Sequence, residues 1–294
     1  MGAGASSVAG PDGEGGHRPG LGDLPEACVA SVLLHLDPPE ICRVARLNRA
    51  FRRAASADFV WESKLPSNYG YLLEKLAHEN NDGVDRHQPR RSKRLGKKEI
   101  YASLCYPNPF DGGTKMFWLE KYKGGICILI SSKALSITGI DDRRHWNYIL
   151  TGESRFHTVA YLQQIWWFQV DGEIEFCFPP GPYKMFFRLQ LGRSSKRLGR
   201  RICNLEHIHG WDVKPVRFEL STSDGQLVRS QCFLDEPGNW IHYQVGEFVV
   251  VNSDVPTKVK FSLTQIDCTH TKGGLCVDSV LICPRGVRPE KVCK

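Results

Sequence analysis

The spacing of apolar residues changes character once along this chain of 294 residues, near Thr114. Before that point apolar side chains recur at intervals of three and four. After it, β-branched and aromatic runs alternate with polar residues. The two periods belong to different elements, so the chain folds as a helical part followed by a β part. In the first part Val29, Val32, Leu33 and Leu36 fall at i, i+3, i+4 and i+7 and predict one apolar helix face. Asp23 is read as its N-cap, with Pro25 in the first turn and Glu26 in the capping-box position. Asp37-Pro-Pro-Glu repeats the start signal, and Ile41, Val44 and Ala45 continue helical spacing. Phe51, Ala54 and Ala55 mark a third helix; Phe59, Val60 and Trp61 form a last turn that Leu65-Pro66 stops.

Three or four short helices over residues 22–66 cannot hide all these apolar side chains from one another. Small helical units bury too little of their surface, so this one is expected to complete its core against another protein. YLLEKLAHE and KKEIYASLCY add helical patterns before PNPFDGG breaks them. Beyond Thr114 the runs ICILISS, YKMFFRLQL, VRFELST, WIHYQVGEFVVV and KVKFSLTQI, among others, are divided by Gly, Pro, Asp and Asn. About eight to ten antiparallel strands with no long helix between them indicate a β-sandwich of jelly-roll type. The fold class is therefore α + β multidomain. The expected divisions are a tail at 1–20, a helical domain at 21–70, a partly helical basic linker at 71–112 and a β-sandwich at 113–294.

Both parts resemble known families. LGDLPEACVASVLLHLDPPEICRVARLNRAFRRAASADFVWESKLP resembles an F-box over its whole length: the Leu-Pro opening at 24–25, the Asp-Pro-Pro-Glu-Ile turn at 37–41, the run Arg46–Phe51 and Trp61. The resemblance implies docking to the Skp adaptor, and through it to cullin, in SCF ubiquitin ligases. By the same resemblance Leu24, Pro25, Ile41 and Val44 are the partner-facing residues; as plain helix positions, Ile41 and Val44 are equally core. KALSITGIDDRRHW, FHTVAYLQQIWWFQVDGEIE, GNWIHYQVGEFVV and VDSVLICP, in that order, resemble the phloem protein 2 or Nictaba-like lectin domain of plants, over roughly residues 113–286. Some members of that family bind N-acetylglucosamine oligomers or N-glycan cores. The combination implies a substrate receptor that recruits a protein or glycoprotein, or else a carbohydrate-binding protein without a ligase role.

Sugar sites stack aromatic rings on pyranose faces and orient hydroxyls with carboxylates and amides. The family motif has two tryptophans seven residues apart. Trp146 stands in the second place and Gly139 in the first, while Glu247 keeps the acid of the GEF motif and His242 replaces an acid after Trp240-Ile241. Trp146 and Glu247 are the candidate carbohydrate residues, with weak glycan binding expected at most. Trp166 and Trp167 lie inside a strand pattern and are read as structural; Trp211 and Trp240 carry no functional argument of their own.

Other chemistry is sparse. No metal or cofactor is expected: Cys203, His207 and His209, and Cys268, His270, Cys276 and Cys283, lack zinc-site spacing. DGEIE places acids at 171, 173 and 175, which strand alternation puts on one solvent face, and no nucleophile elbow or phosphate loop occurs, so the chain is not read as an enzyme. The eleven cysteines are odd in number and set mostly in apolar runs, so they are read as small buried hydrophobes in a reducing compartment. The N-terminus lacks a signal-peptide plan, which points to cytoplasm or nucleus. Met1-Gly2-Ala3-Gly4-Ala5-Ser6 fits N-myristoylation at Gly2; a plain Gly/Ala tail would read the same, and one acyl chain holds a membrane only weakly. The net charge of +7 is concentrated in RHQPRRSKRLGKK (86–98), with a lesser cluster at RSSKRLGRR (193–201). Without interleaved aromatic rings these clusters do not indicate nucleic-acid binding; the first reads as a solvated connector or an import signal.

Overall fold

The computed structural model describes residues 24–81, 96–122, 124–197 and 200–292. Gly2, Asp23 and most of the basic linker lie outside them. The chain divides into two compact units, one ending at Val60 and the other starting at Trp61.

The first unit holds α1 (Glu26–Leu33), α2 (Pro38–Val44), α3 (Arg49–Ala54) and the start of α4 (Asp58–Glu62). Helix α1 begins later than the capping-box pattern suggests. Pro25 is its N-cap, with ψ of 142°, and its carbonyl accepts from the Cys28 and Val29 amides at 2.9 and 3.1 Å. Proline biases the residue before it away from helix, so the helix cannot extend back through Leu24. Asp37 caps α2 with Pro38 at its first position, where a missing N–H costs nothing. The Asn48 carboxamide oxygen caps α3 by accepting from the Phe51 amide at 2.9 Å. Val29, Ala30, Leu33, Ile41, Phe51 and Ala54 are buried.

Among the described residues the second unit continues with α5 (Tyr69–Asn81) and α6 (Lys97–Leu104), then fifteen strands and a short helix, α7 (Pro289–Val292). Trp61 belongs here because its ring packs on Tyr101 of α6 at 5.2 Å. The strand count exceeds the expected eight to ten because short pieces form at turns and loops.

Among the described residues, every pairing between these strands is antiparallel. In the eight-stranded sheet β1 (Asn108–Phe110), β2 (Lys115–Leu119) and β3 (Ile126–Ser131) lead to β15 (Leu275–Pro284). One edge of β15 pairs along β8 (Gly181–Leu191), which pairs in turn with β13 (Trp240–Val250). Its other edge is shared: Leu275–Val277 pair with β6 (Thr158–Leu162), next to β5 (Trp146–Leu150), and Ser279–Ile282 pair with β3. The five-stranded sheet runs β12 (Leu227–Cys232), β11 (Val216–Thr222), β14 (Thr257–Gln265), β7 (Phe168–Phe176), β4 (Ser136–Ile137). A separate hairpin, β9 (Arg193–Arg197) with β10 (Arg200–Asn204), follows β8.

Alternation decides which residues enter the core. On β11 Val216, Phe218, Leu220 and Thr222 point inward, and on β14 Val259, Phe261 and Leu263 do. Phe187 of β8 meets both Phe218 and Phe261 at 5.9 Å, which locks one sheet onto the other. Strands β3 and β15 are buried on both faces. The outer face of the large sheet has a second apolar cluster of Cys127, Leu129, Phe186, Leu281 and Cys283. Cysteine burial is thus only partly as expected. Cys127, Cys177, Cys276 and Cys283 are buried, while Cys28, Cys42 and Cys268 are exposed.

Candidate recognition surfaces

Helix α1 carries two apolar stripes. Val29 and Leu33 face inward, but Val32, expected on that same face, is 51 % exposed. It lies one turn beyond exposed Cys28, and Leu24 and Pro25 are exposed at the same end of the helix. Leu47, just after α2, is 70 % exposed. Of the four residues read as partner-facing, Leu24 and Pro25 are accessible and Val44 is half-buried. Ile41 is fully buried and offers no face to a partner, which corrects its assignment as a docking residue. Periodicity finds apolar positions; it does not tell which the unit itself covers, and so Cys28, Val32 and Leu47 were missed.

In the β unit the expected carbohydrate pair does not assemble. Trp146 is 1 % exposed; its indole N–H donates to the Thr138 carbonyl at 3.0 Å and its ring stacks on Phe168. Both faces are covered, so it is a core ring and not a stacking platform. Gly139 lies at φ +77°, a conformation that strains any side chain, so a tryptophan there would not simply restore a lost ring. Glu247 sits on β13 opposite Lys184, whose ammonium it meets at 3.3 Å, and Arg285 approaches it at 3.4 Å. Following the register, Trp146 lies opposite Leu162, then Leu275, then Leu191 of β8. Lys184 and Leu191 are seven residues apart on one strand, a separation of roughly 20 Å at ~3.3 Å per residue. Trp146 and Glu247 therefore share no site.

Trp166 and Trp167 show the reverse. Both rings are exposed, Trp166 at 51 %. Strand β7 starts only at Phe168, and the preceding loop is tied down by its backbone. The buried Lys272 ammonium donates to the Trp166 carbonyl at 2.6 Å and also to the Asp267 carbonyl. The Trp167 indole N–H donates to the Gln169 side chain at 3.0 Å. Adjacent residues on extended backbone cannot both face one core, and this was the available signal.

Trp240 and its neighbours form a polar cluster on the large sheet around the buried pair Arg188 and Asp278. The Arg188 guanidinium lies 4.4 Å from the Trp240 ring centroid and pairs with Asp278 at 2.5 Å, while the Trp240 N–H donates to Glu153 at 2.7 Å. His242, which stands where an acid was weighed, lies edge-on to Phe186. Burial, and next the Arg188 charge, push its imidazole from 6.5 down to about 4. Between these values the unfolded chain binds the proton and the folded one does not. The resulting stability is therefore full above pH 6.5 and is lost as pH falls toward 4. We expect His242→Phe to flatten the loss of Tm across that window, measured by calorimetry. An unchanged slope would place the acid sensitivity in other groups.

Two acids of DGEIE are engaged on the smaller sheet. Asp171 accepts from Gln169 at 2.7 Å and Glu173 pairs with Lys258 at 3.1 Å. Among the described residues no group of three or more His, Cys, Asp or Glu is arranged to hold a metal, and no helix is long and apolar enough to cross a membrane.

Comparison with known proteins fits both units. Residues 21–65 match the F-box-like family and residues 125–284 match phloem protein 2. F-box protein PP2-A13 of Arabidopsis thaliana is 60 % identical over 92 % of this chain and 91 % of its own length. F-box protein PP2-A12 of the same plant is 59 % identical over 93 % and 90 %, and F-box protein PP2-A15 is 54 % identical over 91 % and 89 %. With an F-box-like unit ahead of a phloem protein 2 domain, and relatives alike over nearly their full length, this chain belongs to the F-box proteins of the phloem protein 2 family.

Proposed function

We propose that this chain is the substrate-receptor subunit of an SCF-type ubiquitin ligase, its helical unit binding the Skp adaptor and its β unit recruiting a protein target. The observation that carries the proposal is the set of uncovered apolar side chains of Leu24 and Pro25, at the entry to α1, and of Cys28 and Val32 on it. Exposed apolar side chains on so small a unit are held there by what a partner gives back on covering them. The glycan-binding alternative lacks its platform, since Trp146 is in the core and Gly139 contributes no ring.

Replacing Leu24 and Pro25 together by alanine should abolish capture of the Skp adaptor and leave the β unit folded. Central apolar anchors cost about 2 kcal/mol or more each when truncated. Ile41→Ala should act differently, lowering the stability of the helical unit, because this residue is interior. Co-purification with the adaptor tests both, with circular dichroism to follow folding. Equal recovery of adaptor with wild type and double variant would end the receptor assignment.

A further inference from the structure

Among the described residues the larger sheet ends on β1, β13 and β5, and the smaller on β12 and β4. An edge strand presents unpaired N–H and C=O groups that pair readily with another chain, and folded proteins blunt it with shortness, proline, charge or a cover. Four of these edges are blunted. Strand β1 has three residues, one of them Pro109, and β4 has two. Strand β12 carries Arg229. On β13 the Gln226 side chain donates to the Val249 carbonyl and accepts from its amide, both at 2.8 Å. The remaining edge, β5, reads Trp-Asn-Tyr-Ile-Leu, with no charge, no proline and no register shift against β6.

The backbone groups on that edge follow from the ladder. At its two ends the Gln163 amide donates to the His145 carbonyl at 2.8 Å, and the Thr151 amide donates to the His157 carbonyl at 3.0 Å. Bonded pairs alternate along an antiparallel ladder, so Asn147 and Ile149 bond to β6, in phase with His145 and Thr151. Trp146, Tyr148 and Leu150 then direct their N–H and C=O groups out of the sheet. The Trp146 amide is taken by the Asp142 carbonyl at 3.0 Å. Among the described residues no partner meets the backbone of Tyr148 or Leu150, and their side chains are 44 and 86 % exposed.

We propose that β5 pairs antiparallel with β5 of a second copy of this chain, about a two-fold axis through Tyr148. The edge selects a second copy over a foreign strand because it complements itself. In the register that overlaps the whole strand, the two Tyr148 residues exchange both backbone bonds. Each Leu150 amide then donates to the partner's Trp146 carbonyl, whose own amide is already satisfied. An uncharged strand meets its copy without the repulsion of like charges set opposite one another. Beside the axis Lys133 lies over the Tyr148 ring at 5.9 Å, while burial, and next the Asp141 carboxylate, raise the Tyr148 phenol. One cation and one anion thus flank the ring, and pairing gathers no net charge there. A single short strand buries less than an obligate interface, so this dimer exchanges with monomer. The inference does not depend on the receptor reading.

Sedimentation velocity on the full chain should show monomer at about 1 μM and mostly dimer at about 100 μM. Leu150→Pro removes an outward N–H and no bond to β6, and Tyr148→Lys sets two charges on the axis. Each should weaken association at least about tenfold with Tm unchanged. Val251→Lys, at an apolar position outside β5 that is also open, should associate as the unsubstituted chain does. Tyr148→Cys treated with diamide, which takes up the two thiol hydrogens, should form an interchain disulfide. A bonded antiparallel pair sets its Cα atoms ~5.5 Å apart, within reach of that bond. Asn147→Cys, off the axis and on the other face, should not exceed the background from exposed Cys28, Cys42 and Cys268. Monomer alone at about 100 μM would overturn the proposal. So would equal weakening by Tyr148→Lys and Val251→Lys, or equal cross-linking at positions 147 and 148. A chain that stays monomeric yet binds a labelled Trp-Asn-Tyr-Ile-Leu peptide would give the edge to a foreign segment and overturn it as well.

Discussion

Asp278→Ala should destabilise the β unit by about 3–5 kcal/mol, the range for a buried ion pair that loses one partner. Asp278 is 2 % exposed and Arg188 9 %, and the carboxylate also accepts from the Ser279 hydroxyl at 3.0 Å. With the carboxylate gone, the guanidinium remains packed against Trp240 and largely shielded from solvent, without its partner charge. The cost comes from that stranded cation more than from any net attraction in the pair. Replacing both residues by apolar ones, Arg188→Met with Asp278→Leu, should therefore recover most of the loss. Urea unfolding followed by tryptophan fluorescence measures both, read from the midpoint at constant slope. A double variant as unstable as the single would show that the pair organises the strand contacts instead of neutralising one another.

Trp146→Ala should lower stability by about 3–5 kcal/mol, as large-to-small changes of core aromatics do. That corresponds to a fall in Tm on the order of 10 °C for a unit of this size. Trp146 anchors a ring chain, stacked on Phe168, which meets Trp211 edge-on at 5.1 Å. A hole there would also orphan the Thr138 carbonyl that the indole N–H now satisfies. Trp146→Phe should keep part of the packing and lose the hydrogen bond. Were Trp146 a ligand platform instead, Tm would hold and only chitin-oligomer binding would change; calorimetry on the intact chain separates the two.

Much of the fold was legible because periodicity reports directly on elements. Val29 and Leu33 gave α1, and the alternation in KVKFSLTQI gave β14 together with its inward face. The proline after Leu24 moved the helix start, an effect local to one ring and masked by a plausible cap before it. The sites were less legible because they depend on what lies opposite. Val32 and Val29 have the same chemistry, and only the packing of the unit decides that one is covered and the other open. The same holds for tryptophans. Trp146 begins a strand and is covered, whereas Trp166 and Trp167, in the apolar run Ile165–Phe168, stand outside because the strand starts one residue later.

The place of β15 bears on how the protein is made. It is the strand to which β3, β6 and β8 all attach, yet it is synthesised after every other strand. Ile126 leaves the ribosome roughly 150 residues before Leu275, an interval of about 7–30 s at 5–20 residues per second. Through that time one edge each of β3, β6 and β8 waits unpaired in the cell. Non-local pairing of this kind is slow and prone to association. Each newly made copy must then be shielded before its sheet can close, and the yield of folded protein is set by that delay as well as by the stability of the finished fold.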